Sequence, residues 1–203
     1  QTKSRKLFTV DRVELKNASL TYYQNDSSKT MRSGLDYKHF SVENIYGDFN
    51  GLKSMADTLI VEVENLSAQE YLSGLTLKSL KSNFHLSKKT MRFEGLSLEV
   101  GDSYITDTVI FNFNSTKDLS DFVDEVFIDA NLKNSTINTR DLALFAPQMS
   151  SYKDKYKLNG KFQGKVKAFI FKDASVKLGS STMLSGKIRM TGLPDFQETF
   201  IDF

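Results

Sequence analysis

Cysteine is absent from the 203 residues. That excludes disulfides, thiolate metal sites and a cysteine nucleophile. Tryptophan is absent as well, and proline occurs only twice, so regular segments can run long. The two histidines, His39 and His85, form no pair with metal-ligand spacing. No apolar run approaches the roughly 20 residues of a membrane-spanning helix; the longest is Leu142-Ala143-Leu144-Phe145-Ala146. Neither sign of charge dominates. Lys+Arg is 27 against 25 for Asp+Glu, a net charge of +2, which makes no case for nucleic-acid binding. No Gly-x-Ser-x-Gly elbow and no phosphate loop occur. The expectation is a non-enzyme with no cofactor and no metal.

What is present is a folding composition. Hydrophobic residues make up 39% and charged residues 26%, too apolar for a disordered tail and too polar for a membrane bundle. The length suits a single segment, residues 1–203. The chain has no secretory h-region at its start and stops at Phe203 within a strand-like pattern. It is therefore read as an internal portion of a larger protein.

Period-two alternation dominates. Leu59, Val61 and Val63 alternate with Ile60, Glu62 and Glu64. Val109, Phe111 and Phe113 alternate with Thr108, Ile110 and Asn112. Val126, Ile128, Ala130 and Leu132 alternate with Phe127, Asp129 and Asn131. Leu158, Gly160, Phe162, Gly164, Val166, Ala168 and Ile170 are read as one face, opposed by Lys161, Gln163, Lys165 and Lys167. Ala174, Val176 and Leu178 follow, then Leu184, Gly186, Ile188 and Met190. One buried and one wet face per strand is the mark of antiparallel sheets.

Some strands change phase midway. Leu77 lies on an odd position, then Leu80, Phe84 and Leu86 on even ones. Met91 and Phe93 are odd, then Leu96, Leu98 and Val100 even, with Gly95 at the switch. A β-bulge makes such a shift and bends the strand, so the sheet is expected to curve. Turns are placed at Lys16-Asn17, Gln24-Asn25-Asp26, Ser87-Lys88-Lys89, Gly101-Asp102-Ser103 and Gly179-Ser180-Ser181, and residues 27–35 are read as a loop. Thr116 is placed as the cap of a short helix carrying Leu119, Phe122 and Val123. Thr139 is placed as the cap of another carrying Leu142, Phe145 and Met149. The expected fold is all-β: a long curved antiparallel sheet of about ten strands with one or two short helices. Two phrases echo. Leu15-Lys16-Asn17-Ala18-Ser19 returns as Leu132-Lys133-Asn134-Ser135-Thr136, and Leu98-Glu99-Val100-Gly101 as Val176-Lys177-Leu178-Gly179. A repeat origin and shared hairpin chemistry both explain them.

Candidate charged sites have plain readings. His85 falls opposite Phe84 and Leu86 and is read as solvent-facing. Asp118, Asp121, Asp124 and Glu125 match no Ca²⁺ loop and are read as a solvated face. Lys161, Lys165, Lys167, Lys172, Lys177, Lys187 and Arg189 form a basic outer face. It is read either as solvated protection of a sheet edge or as a contact for anionic headgroups. The many apolar inner positions lack helices to cover them. The sheet must curl on itself, pack on a second sheet, or offer that face to a ligand.

Several phrases carry a family resemblance. Val10-Asp11-Arg12-Val13-Glu14-Leu15-Lys16-Asn17-Ala18-Ser19-Leu20 resembles a recurrent strand–turn–strand unit of the AsmA-like/TamB envelope family in its Bacteroidota-type branch. So do Asn131-Leu132-Lys133-Asn134-Ser135 with Leu142-Ala143-Leu144-Phe145-Ala146-Pro147, and Leu158-Asn159-Gly160-Lys161-Phe162-Gln163-Gly164-Lys165-Val166. The ending Thr182-Met183-Leu184-Ser185-Gly186 with Gly192-Leu193-Pro194-Asp195 is similar too. The resemblance implies a β-taco-like sheet folded into an open apolar groove. It implies a periplasmic place in a larger protein anchored at the inner membrane. It implies phospholipid as cargo, adjoining segments of the same chain as neighbours, and an Omp85-type outer-membrane barrel as a second possible partner. On that reading Leu59, Val61, Val63, Phe84, Leu86, Leu98, Phe111, Phe113, Ile128, Phe162, Val166, Val176, Leu178, Ile188 and Met190 line the groove; plain core packing is the competing role for each. Docking on a barrel for outer-membrane protein assembly is the alternative function. A glycan-binding sandwich is disfavoured by the missing tryptophan, and a parallel β-helix by the one-sided alternation.

Overall fold

The computed structural model describes residues 7–23, 39–144, 150–179, 181–193, 195 and 198–203. It is a single sheet. The strands are β1 (Leu7–Tyr23), β2 (His39–Met55), β3 (Thr58–Glu70), β4 (Thr76–Leu86), β5 (Thr90–Val100), β6 (Ser103–Asn112), β7 (Phe127–Asn138), β8 (Lys155–Lys165), β9 (Ala168–Leu178), β10 (Thr182–Thr191) and β11 (Phe200–Asp202). Spatial order equals chain order, and each strand is antiparallel to the next. β1 and β11 remain edges, so the sheet is open rather than a barrel. Among the described residues two short α-helices interrupt the meander. A 3₁₀ turn, Thr116–Asp121, runs into α1 (Phe122–Glu125), and α2 (Thr139–Leu142) follows β7.

Strands β1 to β10 are long, and a register slip interrupts each neighbouring pair among them. From β5 to β10, successive strands carry a mid-strand residue with positive φ: Gly95 (60°), Asp107 (91°), Asn134 (50°), Gly160 (135°), Asp173 (50°) and Gly186 (132°). Only Gly, Asn and Asp adopt such angles with ease, and all six positions hold one of them. They are neighbours across the sheet. Leu96 pairs with Asp107, Leu132 with Gly160, and Ala174 with Gly186. The register slips beside them in the manner of a bulge. A line of bulges perpendicular to the strands bends every strand at the same level. The result is a curved open sheet with two arms either side of a crease.

The phase changes read at Gly95 and within β4 are such slips. Lys16-Asn17, however, is not a turn. β1 continues through it, and Asn17 (φ 52°) is a bulge. The Leu-Lys-Asn echo thus encodes one backbone device twice: Leu15 lies opposite Gly47 and Leu132 opposite Gly160, with the slip just after each. The second echo is a pair of hairpins with Gly101 and Gly179 at φ 56° and 60°. The long face read from Leu158 to Ile170 is broken by a turn at residues 166–167. Beyond it the parity inverts. Ile170 pairs with Gln163 and Arg189 on the outer side, while Phe169 and Phe171 face inward. The expected helix caps shift by one residue. Asp118 accepts from the Ser115 N–H and hydroxyl, and Asn138 accepts from the Arg140 N–H. The turn at 24–26, the loop at 27–35, and Phe145, Pro147 and Met149 lie outside the described residues.

Candidate functional site

Directly paired residues of an antiparallel ladder point to the same side, so the register assembles rows across the sheet. One row runs Leu59–Leu86–Met91–Phe111–Ile128, reaches Gly164–Phe169 and continues through Met190 to Ile201. The next is Val61–Phe84–Phe93–Val109–Ala130–Phe162–Phe171–Ile188. On the far arm, Leu66–Leu80–Leu98–Ile105 and Leu158–Val176–Leu184 are aligned. A continuous apolar face therefore crosses β3 to β10.

Its burial is graded. Beside the crease, Val63 (4% exposed), Leu96 (5%) and Ala174 (3%) are nearly inaccessible. Away from it Leu98, Phe111, Ile128, Phe162, Phe169 and Val176 are only partly buried, packed against that core. A sheet with no second layer hides its centre only by curling round it, and the graded exposure is that of a trough with a packed floor and half-open walls. Aromatic rings pack tilted or edge-on along the face: Phe84–Phe93 at 4.9 Å, Phe93–Phe111 at 6.2 Å and Phe162–Phe169 at 4.3 Å between centroids. Such pairs add to simple burial. The polar intruders are satisfied. The Ser82 hydroxyl donates to the Glu94 carbonyl, and the fully buried Ser135 hydroxyl accepts from the Thr106 N–H.

The two helices close over the rims. Phe122 of α1 meets Phe111 edge-on at 5.2 Å, and α1 is tied to the β8–β9 turn by Lys167–Asp124 (2.6 Å) and Lys165–Glu125 (3.4 Å). The hydrogen bond to Asp124 raises the Lys167 ammonium above its ordinary value. At the opposite strand ends, the Asp141 carboxylate of α2 accepts from the Asp102 N–H (2.9 Å) and the Ser103 hydroxyl (2.5 Å). Gly101 leaves the room for it; a Cβ there would collide with Asp141. Glu70, 8% exposed, pins the β3–β4 turn to β2 by accepting from the Ser73 N–H and hydroxyl and the Ser41 N–H. Burial pushes its carboxyl up, but the hydrogen bonds from Ser73, Leu72 and Ser41 outweigh that and hold it below the usual glutamate range. Burial raises the Tyr156 phenol, with nearby Asp154 adding to it.

The predicted lining residues that lie in strands come together on this one face. Val166 sits in the β8–β9 turn and Phe113 just past the end of β6, both outside a strand. Val61, Val63, Phe113 and Ile188 belong to the packed floor (4–7% exposed). Leu59, Phe84, Leu86, Leu98, Phe111, Ile128, Phe162, Val176, Leu178 and Met190 are half-buried. Phe169 and Phe171 were hidden from sequence reasoning by the unrecognised turn; Phe93 and Leu96 were legible in the alternation. Two shallow cavities, of about 240 and 370 Å³, lie elsewhere. One is on the outer face by Ile60, His85 and Arg92, the other at the α2 end by Lys78, Asp102 and Lys155. Among the described residues no group of three His, Cys, Asp or Glu is placed to hold a metal ion, and no helix is long and apolar enough to cross a membrane. Comparison with protein-family models, curated proteins and solved structures finds no match for this chain.

Proposed function

We propose that this chain is a groove segment that carries phospholipid acyl chains between two bacterial membranes, within a larger periplasmic protein. The observation that carries the reading is the apolar face itself. It crosses β3 to β10 without a polar row, and among the described residues only the short α1 and α2 approach its rims. Exposing acyl chains to water costs about 0.8 kcal/mol per CH₂, on the order of 12 kcal/mol for a 16-carbon chain. A trough with apolar walls holds that energy nearly level along the route and needs no catalytic residue. The half-exposed walls, not the packed floor, are the surface on which acyl chains slide. Adjoining segments of the same chain would extend the rows past β1 and β11. Native mass spectrometry of the chain purified from bacterial membranes tests this. Phospholipid adducts are expected; a bare mass, together with no uptake of a fluorescent fatty acid, defeats the reading.

The sheet edges favour a second reading, a module that docks an Omp85-type outer-membrane barrel by strand addition. β1 exposes Leu7, Phe8, Leu20, Tyr22 and Tyr23, and β11 exposes Phe200 and Ile201. Unpaired edges of this kind accept a further strand. Loss of barrel binding on placing proline at Thr9 or Thr21, with lipid adducts unchanged, would select it.

A further inference from the structure

Charge is distributed unevenly along the sheet. Residues 150–193 hold ten Lys and Arg against two Asp, 10 − 2 = +8, while the whole chain is only +2. Three of those cations are neutralised within the chain: Lys165 by Glu125, Lys167 by Asp124 and Arg189 by Asp202. The exposed Lys155, Lys157, Lys161, Lys172, Lys177 and Lys187 are in no ion pair among the described residues. Four of them face one another directly. Lys157 is in register with Lys177, and Lys161 with Lys172. Opposed like charges destabilise a ladder. Edge protection does not explain them, because β8 and β9 are interior strands. Most of their outward neighbours are polar, Asn131 and Thr136 on β7 and Ser175 on β9, with Met183 opposite Lys177 and Ile170 opposite Gln163 as separate apolar side chains.

We propose that the outer face of β8–β10 is a docking surface for an anionic phospholipid bilayer. The chemistry favours headgroups over an acidic protein. Protein interfaces are depleted in Lys and Ser and need an apolar or aromatic centre, whereas this patch holds, among the described residues, no aromatic residue and only the separate apolar side chains Ile170 and Met183. The unpaired cations are all lysines, hydrated point charges suited to a diffuse anionic plane, rather than arginine forks suited to a fixed bidentate partner. The apolar face lies on the opposite side of the same strands, so docking would leave the trough facing away from the leaflet, with the sheet between them. The inference stands apart from acyl-chain carriage, since it concerns the other face.

Co-sedimentation of the purified chain with phosphatidylcholine vesicles, with and without phosphatidylglycerol, is the test. Binding is expected only with phosphatidylglycerol. It should weaken steeply as salt rises from about 0.1 M to about 1 M, where the Debye length shrinks from about 10 to about 3 Å. Each lysine near an anionic surface is worth about fivefold in partition, so K157Q/K161Q/K172Q/K177Q should lose several hundredfold. The same variant should resist urea slightly better than the parent, because the opposed charges are gone. K78Q/K81Q/K88Q removes lysines paired with Asp102, Glu64 and Asp57 and should bind as the parent does. F162D, which blocks the apolar wall, should still sediment with anionic vesicles even if acyl uptake is lost. Equal binding to neutral vesicles, an unaffected quadruple variant, or equal loss in the control variant would overturn the proposal. So would salt-sensitive self-association through this face in place of vesicle binding.

Discussion

Substituting Gly160 by alanine puts the crease to a quantitative test. At φ 135° the position is closed to side chains, and an added Cβ would sit 2.8 Å from the Lys172 carbonyl oxygen and 3.0 Å from the Ala174 Cα. The neighbours are backbone of β9 and cannot swing aside. Backbone strain costs about 1–3 kcal/mol and forced overpacking about 1–3 kcal/mol more. The lost chain entropy of glycine returns about 0.4–1 kcal/mol. The net expectation is a loss of about 2–5 kcal/mol. Gly186 shares the conformation, φ 132°, but a Cβ there meets nothing within 4 Å. Gly186→Ala should therefore cost only the strain less the same entropy gain, about 0.5–2.5 kcal/mol. Urea unfolding followed by circular dichroism measures both, with equal slopes expected if neither change alters the surface exposed. If the two variants agree within about 0.5 kcal/mol, the resolution of such comparisons, the close approach of β8 and β9 at the crease is wrong.

Three further outcomes follow from the same geometry. Gly95→Asn should be nearly neutral and Gly95→Val costly by about 1–2 kcal/mol, since asparagine already fills this backbone role at Asn17, Asn44 and Asn134; urea midpoints decide it. Asp141→Ala strips the acceptor from Ser103, which is 5% exposed, and should cost about 1.5–3 kcal/mol while speeding proteolysis at α2; an unchanged melting temperature refutes the clasp. The Glu70 carboxyl titrates lower in the folded chain than in the unfolded one. Its contribution is therefore complete above the unfolded value, about 4.3, and disappears as pH falls through the folded value. Glu70→Gln should flatten the acid side of the stability profile, and an identical profile would show that the carboxylate is not held there.

The sheet was legible because its alternation is strict where burial is one-sided. Leu59-Ile60-Val61-Glu62-Val63 cannot hide both faces, and the register places Val61 and Val63 at 6% and 4% exposure while Glu62 is exposed. The bulge at Gly95 was legible for the same reason: it shifts the parity of the residues that follow. Asn17 misled at first sight, since Leu-Lys-Asn chemistry serves a turn and a bulge equally well and only the long-range partner decides. The β8–β9 turn, Val166–Lys167, has no Gly, Asn, Asp or Pro to mark it, so Phe169 and Phe171 were assigned to the wrong side. The β2–β3 turn, Ala56-Asp57, carries Asp57 as its one marker and was not read, with Ala56 at φ 54°. Depth within the trough was not legible at all. Phe113 and Ile188 look like wall residues by pattern, yet they are 5% and 7% exposed, so aspartate there would attack the fold before it reported on a ligand. Phe162 and Leu98, half-buried on opposite arms, are the informative positions.

A photoreactive benzophenone side chain placed at Phe162, at Leu98 and, on the outer face away from β8–β10, at Ile60 would show which surface meets acyl chains in bacterial membranes. Carriage in the trough predicts phospholipid adducts at positions 162 and 98 and none at 60. Equal adducts at all three positions, or none at 162 and 98, would contradict it.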